Sequence, residues 1–473
     1  MPQTVAEILA ADAKTLRFAD LPAEVVHQAR RSVLDGIGIG MGGYPSPPSR
    51  AVQSLIKDLG GPPESTVFVS GVKTSCLYAT LANGAMIRYL DYMDRTFLTK
   101  EAVSNMGHHG ESVAPILAVA ERQHASGQEV ITSIVLAYEL LSKITDSVGG
   151  NHGVLDKQGW VPESVRVPCV IGLLAGRLLG LDERQMANAL SLATSFTQEL
   201  GILHSENEQL TMARNLRFPW ASHNGILAAM LAQKGFEGPL NVFEGHTGIA
   251  EVVAGGKMDL DKLRAPRTSW SILNTWIKNF SAEGRMHGHI EATLQLVEKH
   301  DLHPEDVAKV QIRTTEHCYR RMGNPKTRRV PLTKYTADHS SYYCTAVAII
   351  DRAVGPAQFT PEKVRDPKVQ ALADKVFVEK DPALEAYISP GVVDITTVQG
   401  QTYHAEVLRP KGHPMNPMTD ADLEKKFTSL ARTYMDEARM SQIVRMVNDL
   451  DKLSDIGSLM DLLVTDRTRE AVA

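Results

Sequence analysis

Arg88–Ala118, RYLDYMDRTFLTKEAVSNMGHHGESVAPILA, interrupts two apolar helical patterns with a run of ionisable side chains. Upstream, TSCLYATLANGAMIRYL from Thr74 carries apolar residues at helical spacing, and ESVAPILAVAERQ from Glu111 resumes the same period. Between them stand Asp91, Asp94, Arg95, Thr96, His108 and His109. Two readings fit: a solvated interhelical loop, or an acid–base site at the junction of two buried helices.

Outward from this stretch the first half reads as helical. Thr4 to Phe18 is amphipathic, Pro22 opens a helix that reaches Gly42 and Gly43, and Ser49 to Leu59 is a shorter one. EVITSIVLAYELLSKI from Glu129 is apolar on more than one face, as a central bundle helix is. The segments from Val167, Asp182 and Ala221 repeat that character and are rich in small residues that allow close helix approach. Past Arg267 the pattern changes. VAKVQIRTT from Val307 alternates like a strand, HSSYYCTAVAIIDRAVG from His339 is helical with Asp338 or Ser340 as its cap, and Gly391 to Pro410 reads as a hairpin about Gln399-Gly400. The expected fold class is mainly α: a large all-helical domain (1–268), a smaller α+β lid (269–406) and a helical return (407–473). Such an arrangement leaves a cleft between domains, where small-molecule sites lie.

Composition narrows the function. With 473 residues, 43% apolar and 22% charged, and a net charge of -5, the chain is globular, multidomain and without a basic stripe, so no nucleic-acid partner is expected. Neither a signal-peptide layout nor an apolar run of about 20 residues occurs, so a cytoplasmic protein without membrane insertion is expected. Cys76, Cys169, Cys318 and Cys344 are dispersed, which argues against a disulfide framework or structural zinc. His287-Gly288-His289 leads into a helix, where i and i+2 diverge, and no HExxH or EF-hand pattern accompanies it, so no metal is expected. The GIGIGMGG run ends a helix rather than following a strand, no phosphate loop or GxSxG elbow is present, and no cofactor is expected.

Two further groups carry charge. Lys278, Glu283, Arg285, His287 and His289 occupy a loop and the helix after it, at the start of the second domain. Either they are exposed and structural, or they close over the first domain. Arg214 and Arg217 precede the helix from Ala221, as solvated charge or as a clamp for a carboxylate.

The combination LDYMDRT (90–96), GHHGESVAPILA (107–118), NTWIKNFSAEGRMHGHIEA (274–292), ADHSSYYCTAVAIID (337–351) and KGHPMNPMTDADLEKKF (411–427) resembles the MmgE/PrpD family along nearly the whole chain. The activities of that family include 2-methylcitrate dehydration, cis-aconitate decarboxylation and iminodisuccinate epimerisation. The resemblance implies a helical domain with an α+β lid, a homodimer, a cofactor-independent cleft and a small di- or tricarboxylate substrate. Its DxxDT-type motif falls on Asp91, Asp94 and Thr96, with Arg95 intruding, and its downstream histidine on His108, with His109 where proline is usual. The lysine of its KxxxPAE-type segment falls on Lys278, and the helix-start histidine of its HxxIDA-type motif on His287. A second family lysine appears as Arg214. Glu283 and Val161 stand where decarboxylases have histidines, which favours dehydration, with epimerisation as the rival. Asp91 or His108 is then the base, Lys278, Arg214, Arg217 and Arg285 stabilise developing carboxylate charge, and Asp94, Thr96, Glu283 and His287 complete the substrate site.

Overall fold

The structure is a computed structural model and describes residues 2–102, 104–196, 199–204 and 209–465. Helices dominate, and their ends follow local chemistry. Thr4 and Glu7 form a capping box that starts Val5–Thr15, and Ser126 caps Gly127–Ser147, which is buried along most of its length. Ala23–Gly43 begins directly after Pro22. Its glycines are a packing surface: a Cβ on Gly43 would lie 2.0 Å from the Met86 carbonyl oxygen of Cys76–Tyr89, so only glycine lets these two helices approach so closely. The return helix Asp420–Ala431 lies on the same Ala23–Gly43 helix, and Ser340, not Asp338, caps Ser341–Asp351.

Buried apolar side chains fall into two large clusters. One draws on Val5 through Ile277 and on Met418 through Leu463; the other runs from Phe280 to Val407. The second surrounds a four-stranded sheet in the order Val376–Lys380, Val307–Thr314, Gly391–Thr397, Thr402–Val407, parallel at the first pair and antiparallel at the others. Val310 and Ile312 turn inward with period two and Val307 joins them one residue out of step at a bulge, in a core shared with His287–His300 and Ser341–Asp351. Gly400, at φ 86°, makes the hairpin turn. Val376–Lys380 joins this sheet although the sequence reading assigned no strand there.

A second small sheet matters more for the site. Arg95–Phe97 pairs antiparallel with Asn105–Gly107 on one side and with Thr275–Trp276 on the other, with Arg95 opposite Trp276 and Thr96 opposite Thr275. What reads in sequence as an interhelical loop is therefore stitched to the chain that enters the lid. Phe97, Trp276 and Ile388 form a small apolar cluster at this seam. Lys426 secures it from the return helix: its ammonium pairs with Asp35 at 2.8 Å and donates to the carbonyls of Tyr92 and Lys278, 3.0 Å each. Among the described residues no helix is long and apolar enough to cross a membrane.

Candidate active site

Asp91 stands where Cys76–Tyr89 ends, in the left-handed region at φ 48°. An aspartate tolerates this at a cost of about 1 kcal/mol or more when the surroundings hold it. Lys278 does the holding: its ammonium donates to the Asp91 carbonyl (2.7 Å), to Asp91 Oδ1 (3.1 Å) and to the Ala282 carbonyl (3.0 Å). All three of its protons are thereby used, and Lys278 is fully buried behind Asp91 rather than on the cleft wall. Burial lowers the Lys278 pKa to about 8 against the pull of Asp91. Burial would raise the Asp91 carboxyl, but Lys278, Arg88, His339 and Arg214 outweigh it and hold the group well below its ordinary range, ionised. Asp91 Oδ2 accepts no hydrogen bond; its neighbour is His339 Nε2 at 3.6 Å.

His108 lines the cleft beside Asp91. Its Nδ1 lies 2.6 Å from the Asp94 carbonyl oxygen. A carbonyl only accepts, so Nδ1 carries the proton and Nε2 keeps its lone pair. Burial, and then Arg88, Lys278 and Arg95, keep the ring neutral. The Asp94 side chain lies behind this histidine, accepting from Gly110 N–H at 2.9 Å and from the Tyr138 hydroxyl; burial raises its pKa to about 7. His109 donates from Nε2 to the Met106 carbonyl at 3.0 Å. Thr96, in the small sheet, has its hydroxyl 3.5 Å from that of Thr275. His287 is buried at 5.1 Å from both the Trp276 and Phe280 rings, with Nε2 3.3 Å from the Ala282 carbonyl. Asp94, Thr96 and His287, like Lys278, thus lie behind the wall.

The wall itself is cationic. Among the described residues it carries seven arginines, Arg88, Arg95, Arg214, Arg217, Arg285, Arg321 and Arg328, against three carboxylates, Asp91, Glu163 and Glu283. Glu283 ion-pairs with Arg95 across the seam and caps the turn Gly284–Met286 by accepting from Arg285 N–H at 2.7 Å. Burial would raise its pKa, but Arg95 and Arg285 bring it to about 2. Arg95 keeps Nε and Nη1 buried without a partner, and a Cβ on Gly284 would sit 2.9 Å from that Nε. A side chain at position 284 would press on the Arg95 guanidinium. Arg217 reaches Glu163 at 3.6 Å and Arg88 reaches Glu111 at 3.1 Å. Burial lowers Arg214 to about 10 and Arg285 to about 9, which leaves both charged at neutral pH.

Of the residues singled out from sequence, Asp91, His108, Arg214, Arg217, Glu283 and Arg285 meet on this wall. His339 joins them unannounced, because its sequence signal was only that of a helix start. His152 and His317, from opposite sides of the cleft, also face one another, with ring centroids 4.7 Å apart. Asp91, Asp338 and His339 are the one group of potential metal ligands among the described residues. Their negative charge is already met by Lys278 at 3.1 Å from Asp91 and Lys334 at 2.6 Å from Asp338.

A helical body, an α+β lid and a buried carboxylate in an arginine-lined cleft define the class: an enzyme with its site in a cleft. The family match is direct. The MmgE/PrpD N-terminal domain matches residues 7–261 and the MmgE/PrpD C-terminal domain residues 280–452, so the chain belongs to the MmgE/PrpD family. It is 26% identical to cis-aconitate decarboxylase of Aspergillus terreus over 95% of this chain and 94% of the fungal protein. It is 27% identical to 2-methylcitrate dehydratase of Cupriavidus necator, over 86% of each chain. With human cis-aconitate decarboxylase the identity is 23%, over 98% of this chain and 95% of the other.

Proposed function

We propose that the protein is a cofactor-independent lyase that removes water from a small tricarboxylate of the 2-methylcitrate type. The observation that carries this reading is an ionised carboxylate, Asp91, whose Oδ2 accepts no hydrogen bond, in a wall where Arg88, Arg95, Arg214, Arg217 and Arg285 outnumber the three carboxylates among the described residues. That excess of positive charge suits a substrate with two or three carboxylates, each offered planar guanidinium donors. Asp91 removes the proton next to a carboxylate, and the arginines stabilise the charge that develops on its oxygens. Arg88 and Arg214 are among the groups that depress Asp91. Once they engage substrate carboxylates their pull on Asp91 is shared, and its basicity rises at the moment it is needed. His108, with Nε2 bare, accepts from the substrate hydroxyl and orients it.

Dehydration is preferred over decarboxylation because Glu283, held by Arg95 and Arg285, and Val161, apolar and buried, stand at the positions where the family resemblance places decarboxylase histidines. Incubation with 2-methylcitrate, citrate, cis-aconitate and iminodisuccinate in deuterated water, followed by proton NMR, tests the reading. A new alkene signal with loss of the hydroxy acid supports it. Deuterium incorporation without net loss marks an epimerase, carbon dioxide release marks a decarboxylase, and no change in any of the four marks a binding protein.

The same chemistry has a pH signature. Lys278 donates its third hydrogen bond only while protonated, and its pKa is brought down from 10.5 to about 8. The charge that keeps Asp91 ionised and in place is thus present below about pH 8 and lost above it. We expect kcat/KM to fall up to roughly tenfold per pH unit on that alkaline side. A flat profile to pH 10 contradicts the role.

The reading includes a cytoplasmic homodimer. Phe196, Leu227, Leu231 and Phe236 are exposed around one surface groove, and Trp220 lies on the same face of Arg217–Gln233. A contiguous apolar face of this kind marks an interface, and a second copy of the chain is the partner proposed. The free, buried cysteines suit a reducing compartment. Light scattering on the wild type should report a dimer, and Leu227→Glu with Leu231→Glu a monomer; a monomeric wild type removes the proposal.

A further inference from the structure

The cleft holds a second proton-carrying unit beside Asp91. His339 Nδ1 lies 2.6 Å from Asp338 Oδ1, and Asp338 is itself fixed by Lys334 at 2.6 Å. An ionised carboxylate only accepts, so Nδ1 carries the proton and Nε2 presents its lone pair to the cleft. Nε2 has two neighbours: Arg214 Nη2 at 3.2 Å and Asp91 Oδ2 at 3.6 Å. Glu283 lines the same cleft. The Asp–His pair thus has the geometry in which a carboxylate fixes a tautomer and steadies the imidazolium formed at the other nitrogen.

Resting on the lyase reading above, we propose that His339, oriented by Asp338, is a catalytic acid–base group that takes from Asp91 the proton removed from carbon and delivers it to the leaving hydroxyl. The balance closes without a co-reactant. The C–H bond breaks, its proton goes to Asp91 Oδ2 and its electron pair is held on the adjacent substrate carboxylate; Asp91 passes the proton to His339 Nε2; the electron pair then forms the alkene as the C–O bond breaks and His339 gives the proton to the departing oxygen, which leaves as water; Asp91 and His339 are back in their starting states. Two observations favour His339: its Nε2 is 3.6 Å from Asp91 Oδ2, and its Nδ1 rests on the Asp338 carboxylate, which offsets an imidazolium charge as the backbone carbonyl behind His108 does not, while Lys278 lies behind Asp91 with all its protons donated. Arg214 acts as the guard. A substrate carboxylate is a better acceptor for a guanidinium than an imidazole nitrogen is, so binding draws Arg214 off Nε2 and uncovers it. Asp91 comes from the helical body and His339 from the lid, so the relay is complete only when the two lie against each other.

The test separates carbon–hydrogen cleavage from loss of water. In deuterated water, His339→Gln is expected to eliminate water at least about 100-fold more slowly, with KM within about threefold, while deuterium still enters the unreacted substrate, because Asp91 continues to remove and return the proton. Asp338→Asn should lower kcat about tenfold or more and abolish the Nδ1–H signature of His339 in nitrogen-15 NMR spectra of histidine-labelled enzyme. If His339→Gln does not fold, imidazole added to His339→Ala serves instead, with partial recovery of kcat expected. Wild-type elimination rates in folded His339→Gln, or equal loss of exchange and elimination, overturns the relay alone. A wild type inactive on every polycarboxylate tried overturns the lyase reading and the relay with it.

Discussion

Asp91→Asn is expected to reduce turnover at least about 100-fold, with the fold unchanged, because it removes a carboxylate oxygen of the cleft wall that accepts no hydrogen bond and is placed beside His339 to take a proton from carbon. The amide keeps the size and the Oδ1 contact to Lys278, so substrate affinity should change little and the loss should fall on kcat. Circular dichroism and the melting midpoint establish that the variant folds. Near-normal turnover in a folded Asp91→Asn protein would sink the assignment of the base.

The second large effect is on stability as well as rate. Lys278→Met leaves the Asp91 carboxylate buried with Arg88 at 3.8 Å and His339 at 3.6 Å, and strips the ammonium donor from the Asp91 and Ala282 carbonyls. Breaking a buried pair in this way costs about 3–5 kcal/mol, chiefly through the charge left without its partner. Turnover should fall by about 100-fold or more, since Asp91 is then free to leave its left-handed conformation. The double variant with Asp91→Asn discriminates the cause. If the uncompensated charge is the problem, the double variant is more stable than Lys278→Met alone, with a coupling of about 1–3 kcal/mol. Simple additivity of the two losses in urea titrations would refute that explanation.

The candidate site was partly legible. Asp91, Asp94 and His108 stood out because buried helices flank them, and charge inside such a frame is conspicuous at short range. What the residues do individually was not legible. Asp94 shares a motif with Asp91, yet it faces Tyr138 and Gly110 behind the wall, whereas Asp91 faces the cleft. Lys278 reads as a lysine in a loop; that it is fully buried and bonded to Asp91 depends on Thr275–Trp276 pairing with Arg95–Phe97, across a separation of 179 residues at Thr96 and Thr275. Strands two and three residues long are too short to show a period of two, so nothing local announces that sheet. Arg95 interrupts the family motif as an apparent intrusion, and only the structure gives it a partner, Glu283, and a close neighbour in Gly284.

From the sequence alone follow the mainly helical body, the strand Val307–Thr314, the hairpin of Gly391–Thr397 with Thr402–Val407 and the membership of the chain in its family. Each of these rests on periodicity, capping or motif order, which are properties of neighbouring residues. Only the tertiary structure decided which charges share one cleft, which face away from it, and that His339 stands 3.6 Å from Asp91. Those facts depend on how a lid with its own core meets a helical body, and electrostatic coupling at a few ångströms is set by that meeting, not by position along the chain.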